Sequence, residues 1–206
     1  DEILSFITSL KARYELTVNK VPISGLDQWV INDMAITHIE EKYFRVIATE
    51  VEISNREVIK WHQPMIAPSQ EGICAFICKE IDGIMHFIVQ AKFECGNFDV
   101  LELAPTVECL TGNYNNERSI ERLPYLNYIL NARKEQIIYD SYQSEEGGRF
   151  YKEQNRNMIV LANKELNNEL PEEYIWMTLN QLQKFIQFNN YINIQARSLL
   201  AAISFI

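Results

Sequence analysis

The sequence predicts an α+β fold: a mostly antiparallel sheet with flanking helices. Three observations carry this. Helical periodicity is confined to the two chain ends and one stretch between them. β-forming runs fill the region from about residue 43 to 162. Between two of those runs stands Asp82-Gly83, the dipeptide suited to a two-residue hairpin in which both turn positions need positive φ.

The elements follow in order. Ile3, Leu4, Ile7 and Leu10 recur at three- and four-residue steps, an apolar stripe that predicts a helix over 1–12. Pro22 and Gly25 break the pattern. Residues 44–51 (FRVIATEV) read as a strand, 54–57 as a turn and 58–65 as a second strand, with Pro64 requiring an edge or an end. Residues 74–80 and 84–94 form the two arms around Asp82-Gly83. Residues 101–111 read as one strand interrupted by Pro105, and 122–132 as a helix with Pro124 in its first turn. Residues 136–142 and 158–162 read as strands, with a loop or short helix at 143–157. Thr178 and Gln181 make a capping box, and Asn193 caps a last helix, so helices are expected over about 178–204. The whole chain, 1–206, reads as one module.

Composition narrows the function. The net charge is −9 with no basic patch, which speaks against a nucleic-acid partner. No apolar run reaches the length of a membrane span and no signal peptide is visible, so a cytoplasmic protein is expected. Cys74, Cys78, Cys95 and Cys109 lack metal-type spacing and only three His are present, so neither a metal nor another cofactor is expected. Phosphate-loop, dinucleotide-binding and nucleophile-elbow motifs are absent.

One strand carries candidate chemistry. In 86–94 (HFIVQAKFE), Phe87, Val89, Ala91 and Phe93 alternate as an apolar face. His86, Gln90, Lys92 and Glu94 share the other face, with Ile88 as its apolar member. Such a row suits a polar ligand pocket, although a half-exposed strand meeting water shows the same alternation. Trp61 and Gln63 share a face, and the indole suits either stacking on a ligand or a packed rim. Arg149 and Arg156 flank a polar loop beside Gly147-Gly148, where they can grip a diphosphate or simply face solvent. Asn113 lies in a turn-like run, and His38 stands alone.

Together, WHQP (61–64), HFIVQAKFECGN (86–97), PTVECLTGNY (105–114), DSYQSEEGGRF (140–150), RNMIV (156–160) and WMTLNQLQKFIQFNNYINIQAR (176–197) resemble the NDP-hexose 2,3-dehydratases. Members of that family are typically about twice this length, with two tandem modules similar in fold to Nudix hydrolases. The resemblance therefore implies one Nudix-like module, and a homodimer that restores the pair. The Nudix box is missing, Cys95 stands where the family pattern usually has Pro, and Glu108-Cys109-Leu110 replaces a Gln-Ala-Thr-like run.

The resemblance implies a hydro-lyase that removes water across C2–C3 of a dTDP- or UDP-linked 4-keto-6-deoxyhexose, giving a 3,4-diketo-2,6-dideoxyhexose. The substrate's own C4 ketone acidifies C3–H and serves as electron sink, so a base, a proton donor and an oxyanion donor suffice. Lys92 is the candidate cation, Glu94 or His86 the base, with Tyr114 a competitor for that role. Gln63 and Gln90 would orient hydroxyls, beside Trp61, while Asn97, Asn113, Arg149, Arg156 and Asn157 are candidate nucleotide or diphosphate contacts. The other readings are a non-catalytic sugar-nucleotide-binding module, a half that works only beside a partner chain, and a Nudix-type hydrolase.

Overall fold

A computed structural model describes residues 1–110 and 123–203. Two sheets form. The smaller is four-stranded and wholly antiparallel: β1 (Trp29–Ile31), β2 (Ala35–His38), β3 (Phe44–Glu52) and β4 (Lys60–Pro68), in that spatial order. Pro64 sits on β4, the edge strand, where a missing N–H breaks no ladder bond.

The larger sheet has seven strands: β5 (Gly72–Ile81), β6 (Ile84–Phe93), β7 (Leu101–Ala104), β8 (Val107–Leu110), β9 (Ile137–Ser144), β10 (Gln154–Leu161) and β11 (Tyr174–Thr178). Its path is β11-β6-β5-β10-β9, with β7 on β6 and β8 on β5. Every pairing is antiparallel except β10 on β5. The hairpin at Asp82-Gly83 forms as its chemistry demands, with φ of 51° and 79°.

Among the described residues the α-helices are α1 (Glu2–Arg13), α2 (Leu126–Leu130), α3 (Leu179–Ile186) and α4 (Ile194–Ile203). The α1 stripe buries Ile3, Ile7 and Leu10, whereas Leu4 points to solvent. Thr178 Oγ1 accepts from the Gln181 backbone and the Gln181 side chain returns to Thr178 N, which completes the capping box of α3.

The large sheet is covered on both faces. One core joins α1, α3 and α4 to Phe76, Phe87, Val89 and Leu103. The second joins α2 to Ile73, Ile77, Ile88, Val107 and Met158. Ile88 is therefore no exposed exception on a polar face: its exposure is 0% and it belongs to the second core. The polar members of β6, His86, Gln90 and Lys92, thus share their face with a core residue.

Three readings of the sequence change. The segment around Pro105 is two strands on different partners, β7 on β6 and β8 on β5. The interval 143–157 keeps its loop over 145–153, but its two ends are strand, because β9 runs to Ser144 and β10 starts at Gln154. The short strands β1, β2 and β11 add to those read from the sequence; each has only 3, 4 and 5 residues, too few for a clear alternation.

Candidate functional site

The register of β5 explains where a cleft forms. Its C-terminal half pairs with β6 through Cys78↔Phe87, Lys79↔His86, Glu80↔Met85 and Ile81↔Ile84. Its N-terminal half, from Gly72 to Ala75, pairs instead with β8. β7 and β8 thus enter between β5 and β6 as a wedge whose tip is Pro105-Thr106. The next pair on the β5–β6 ladder would be Ile77 and Ile88. Thr106, fully buried, takes its place: its hydroxyl accepts from Ile77 N–H at 2.9 Å and donates to the Ile88 carbonyl at 2.5 Å. A buried N–H and a buried carbonyl are so satisfied without a strand partner.

Above this fork lies a cleft of about 250 Å³. Gly72 and Cys74 of β5, Lys92 of β6 with Glu94 just after it, Glu108, Cys109 and Leu110 of β8, Asn155 of β10 with Glu153 just before that strand, and Gln195 of α4 line it. Lys92 Nζ stands 2.9 Å from Glu94 Oε1 and 2.8 Å from Glu108 Oε1. Burial pushes the Lys92 ammonium toward losing its proton, but Glu108 and Glu94 more than offset it, so the group is held above the usual lysine value. Lys92 is a fixed cation, suited to stabilise an oxyanion and unsuited to act as a base at neutral pH. Burial, then the nearby Glu145, pushes the Glu153 carboxyl above its ordinary range. The thiols are inert: burial drives Cys74 far upward and Cys109 up to about 12. Among the described residues no group of three or more His, Cys, Asp and Glu is arranged to hold a metal ion.

Gly72 has a steric reason. A Cβ there would come within 2.1 Å of Asn155 Oδ1, so only glycine leaves room for that carboxamide at the cleft wall. Asn155 Nδ2 donates to Glu145 Oε1 at 2.6 Å.

The structure brings together some of the residues singled out from the sequence and separates others. Lys92 and Glu94 share the cleft, and Asn97 closes the turn beside them by donating to the Lys92 carbonyl at 3.5 Å. His86 lies at the other end of β6, six strand residues or roughly 20 Å from Lys92, with Nδ1 2.9 Å from the Ile84 carbonyl. Gln90, in the middle of β6, faces Tyr174 and Ala104 across the ladders and does not line the cleft. Asn157 is buried and donates to the Asn155 carbonyl at 2.9 Å, a bond that supports the neighbour which does line it.

Trp61 and Gln63 form a second group on the small sheet. Trp61 Nε1 donates to Gln63 Oε1 at 2.6 Å, and Gln63 Nε2 donates to the Gly148 carbonyl at 2.8 Å. Trp61 also borders an open hollow of about 700 Å³ with Asn55, Arg56, Glu57 and Val58. Arg149 pairs with Glu146, and Arg156 donates to both Asp140 oxygens at 2.8 and 2.6 Å. Asn113 and Tyr114 lie outside the described residues. His38 is buried, edge-on to Trp29 and Tyr43, and is a packing residue.

Sequence reasoning did not single out Glu153, Asn155, Gly72 and Gln195, and it named Glu108 only as a departure from the family pattern. The available signal was alternation on β8, where Glu108 falls between Val107 and Cys109. Its meaning depends on β8 pairing with β5, a long-range choice that local pattern does not encode.

The chain matches the family model described as NDP-hexose 2,3-dehydratase over residues 1–203. A relative from Saccharopolyspora spinosa, named dTDP-4-dehydro-6-deoxy-alpha-D-glucopyranose 2,3-dehydratase, is 42% identical over 98% of this chain and 42% of its own length. A relative of the same name from Amycolatopsis orientalis is 36% identical over 98% of this chain and 43% of its own length. The chain thus spans less than half the length of these curated relatives. Among solved structures, an ADP compounds hydrolase aligns with a TM-score of 0.45 at 13% identity, covering 92% of this chain and 95% of that one. A Nudix hydrolase from M. smegmatis aligns with a TM-score of 0.42 at 11% identity, covering 76% of this chain and 93% of that one. These structural likenesses are loose and bear on neither activity nor site. The sequence match is of another kind, since it runs from α1 to the end of α4: the chain belongs to the NDP-hexose 2,3-dehydratase family.

Proposed function

We propose that the Lys92 cleft is the elimination site of a sugar-nucleotide 2,3-dehydratase. The substrate class is a 4-keto-6-deoxyhexose on a nucleoside diphosphate, and the relatives' names favour dTDP over UDP. The observation that carries this reading is a lysine kept charged between two carboxylates at the wall of a cleft.

The chemistry runs without an external electron acceptor. A carboxylate takes the C3 proton, and the electron pair moves onto the C4 oxygen as an enolate, where the Lys92 ammonium offsets the charge. The enolate then reforms the C4 carbonyl and expels the C2 hydroxyl, which takes up a proton and leaves as water. The C2=C3 enol tautomerises to the 3,4-diketone, so the net change is loss of one water. Glu94, the more exposed of the two carboxylates on Lys92, is the base in this reading. Glu153, on the β10 side of the cleft, is the proton donor: its raised pKa favours the acid form that the leaving hydroxyl requires. Trp61 and Arg149 belong to the nucleotide end of the substrate.

A second reading follows from length. Because the chain spans less than half of its curated relatives, it can be a sugar-nucleotide-binding module whose turnover requires a further module. A homodimer in the cytoplasm is the arrangement that supplies one. None of the helices described is long and apolar enough to cross a membrane.

The test is a panel of dTDP- and UDP-linked 4-keto-6-deoxyhexoses, with mass spectrometry following loss of water and calorimetry following binding. Loss of water that disappears in Lys92→Ala is the expected result. Binding without loss of water supports the module reading, and neither binding nor turnover sinks both.

A further inference from the structure

We propose that Glu108 is the positioning residue for the Lys92 ammonium, and that it ties this cation to the N-terminus of α4 through Asn193. The proposal rests on the reading of Lys92 given above and assigns Glu108 no contact with substrate.

The Glu108 carboxylate is divided between two partners. Oε1 lies 2.8 Å from Lys92 Nζ, and Oε2 accepts from Asn193 Nδ2 at 2.7 Å. Asn193 is itself immobilised. Its Oδ1 caps α4 by accepting from Ala196 N–H at 2.9 Å, and its backbone N–H donates to the Leu103 carbonyl of β7 at 3.0 Å. A line of hydrogen bonds therefore runs from β7 and the helix cap to the tip of a side chain on β6.

Lysine needs such an anchor. Its ammonium is a point charge on a flexible four-carbon stem, and an oxyanion donor displaced by about 1 Å loses much of its effect. The two carboxylates on Lys92 are unequal in the way this division of labour requires. The Glu108 side chain is 13% exposed and bonded at both oxygens, whereas Glu94 is 44% exposed and lies beyond the strand end. Glu94 is free to exchange Lys92 for substrate while Glu108 holds it.

Among the described residues, the charged and titratable groups around Lys92 are Glu94 on the turn after β6, Glu108 and Cys109 on β8, Cys74 on β5, Glu102 opposite on β7, and Glu153 ahead of β10. Glu108 contributes a charge that counters the effect of burial on Lys92. Neutralising it without changing its shape should let the ammonium lose its proton at lower pH.

The experiment follows the Lys92 side-chain resonance through a pH titration in lysine-labelled protein, with the peak identified by its absence in Lys92→Arg. Wild type, Glu108→Gln and Glu108→Asp are compared for that titration, for melting temperature, and for kcat and KM against pH. Expected are a Glu108→Gln protein that folds but melts below wild type, because its amide nitrogen must meet one of the two donors that the carboxylate served, a lower Lys92 midpoint, a high-pH limb of kcat that moves with it, and a nearly unchanged KM. Glu108→Asp should recover part of both shifts. A Lys92 midpoint that does not move overturns the proposal. A midpoint that moves while the kcat limb stays put removes Lys92 from the chemistry instead, leaving its contact with Glu108 standing. Asn193→Ser keeps a helix cap but removes the amide donor; turnover falling at constant KM supports the tie to α4, and unchanged turnover overturns it.

Discussion

Removing Lys92 and removing Glu94 should have different consequences for the fold. Lys92→Ala leaves the Glu108 carboxylate, 13% exposed, with Asn193 as its remaining partner, so about 1–3 kcal/mol of stability should go. Glu94→Gln alters an exposed group and should melt near wild type. Turnover should fall about 10²–10³-fold in the first and about 10²–10⁴-fold in the second; two variants that melt as stated yet turn over normally would clear this cleft of the chemistry. A third case is acid sensitivity. Hydrogen bonds from Arg156 hold the Asp140 carboxyl below the usual aspartate value, against a smaller opposing effect of burial. That stabilisation is present above about pH 4 and is lost as pH falls through the lowered folded value. Arg156→Gln should cost roughly 0.2–1 kcal/mol at pH 6, the range for an exposed pair. The gap from wild type should narrow below about pH 4, as urea titrations at stepped pH would reveal. Lys92 and Glu94 were legible in the sequence because strand alternation separates them from Phe87, Val89 and Ala91. Glu108 and Asn155 were not, because their importance comes from neighbours far away in sequence.

At the scale of elements, the fork makes the sharpest prediction. Thr106→Val keeps the volume but removes the hydroxyl that serves Ile77 N–H and the Ile88 carbonyl. Each group left unpaired costs about 1–3 kcal/mol, so urea unfolding should lose far more than a conservative surface change would. A loss below about 0.5 kcal/mol would show that the fork does not depend on this link. Gly72→Ala is expected to push the Asn155 carboxamide out of the cleft wall and to lower both stability and turnover, by about 1–3 kcal/mol in the former. The α3 capping box, the Asp82-Gly83 hairpin and the α1 stripe were all readable locally, because each is decided within a few residues. The Pro105 segment read as one strand because proline marks an interruption without telling where each half goes.

The whole molecule buries both faces of its large sheet, which a reading of β6 as polar on one side does not capture. Ile88→Ala should therefore cost about 2–5 kcal/mol in thermal or chemical unfolding, as a core truncation does. A loss near zero would mean that the second core contributes little. The helices at the chain ends and the α+β class followed from composition and periodicity. The split into two sheets did not, since the strands before Phe44 are too short to announce themselves. Association belongs to this scale as well. Light scattering at micromolar concentrations should give twice the monomer mass if a second copy completes the module pair, and a monomer throughout would favour the reading that needs more chain.

The Thr106 link has a consequence for how such a cleft can diversify. The opening exists because β5 changes partner along its length, a property of chain topology held by one hydroxyl. Cys109, Leu110 and Gln195 line the cleft but take no part in that link. In the proposed reading, substitution at those three positions would reshape what the cleft admits while the Thr106 link that opens it stays in place.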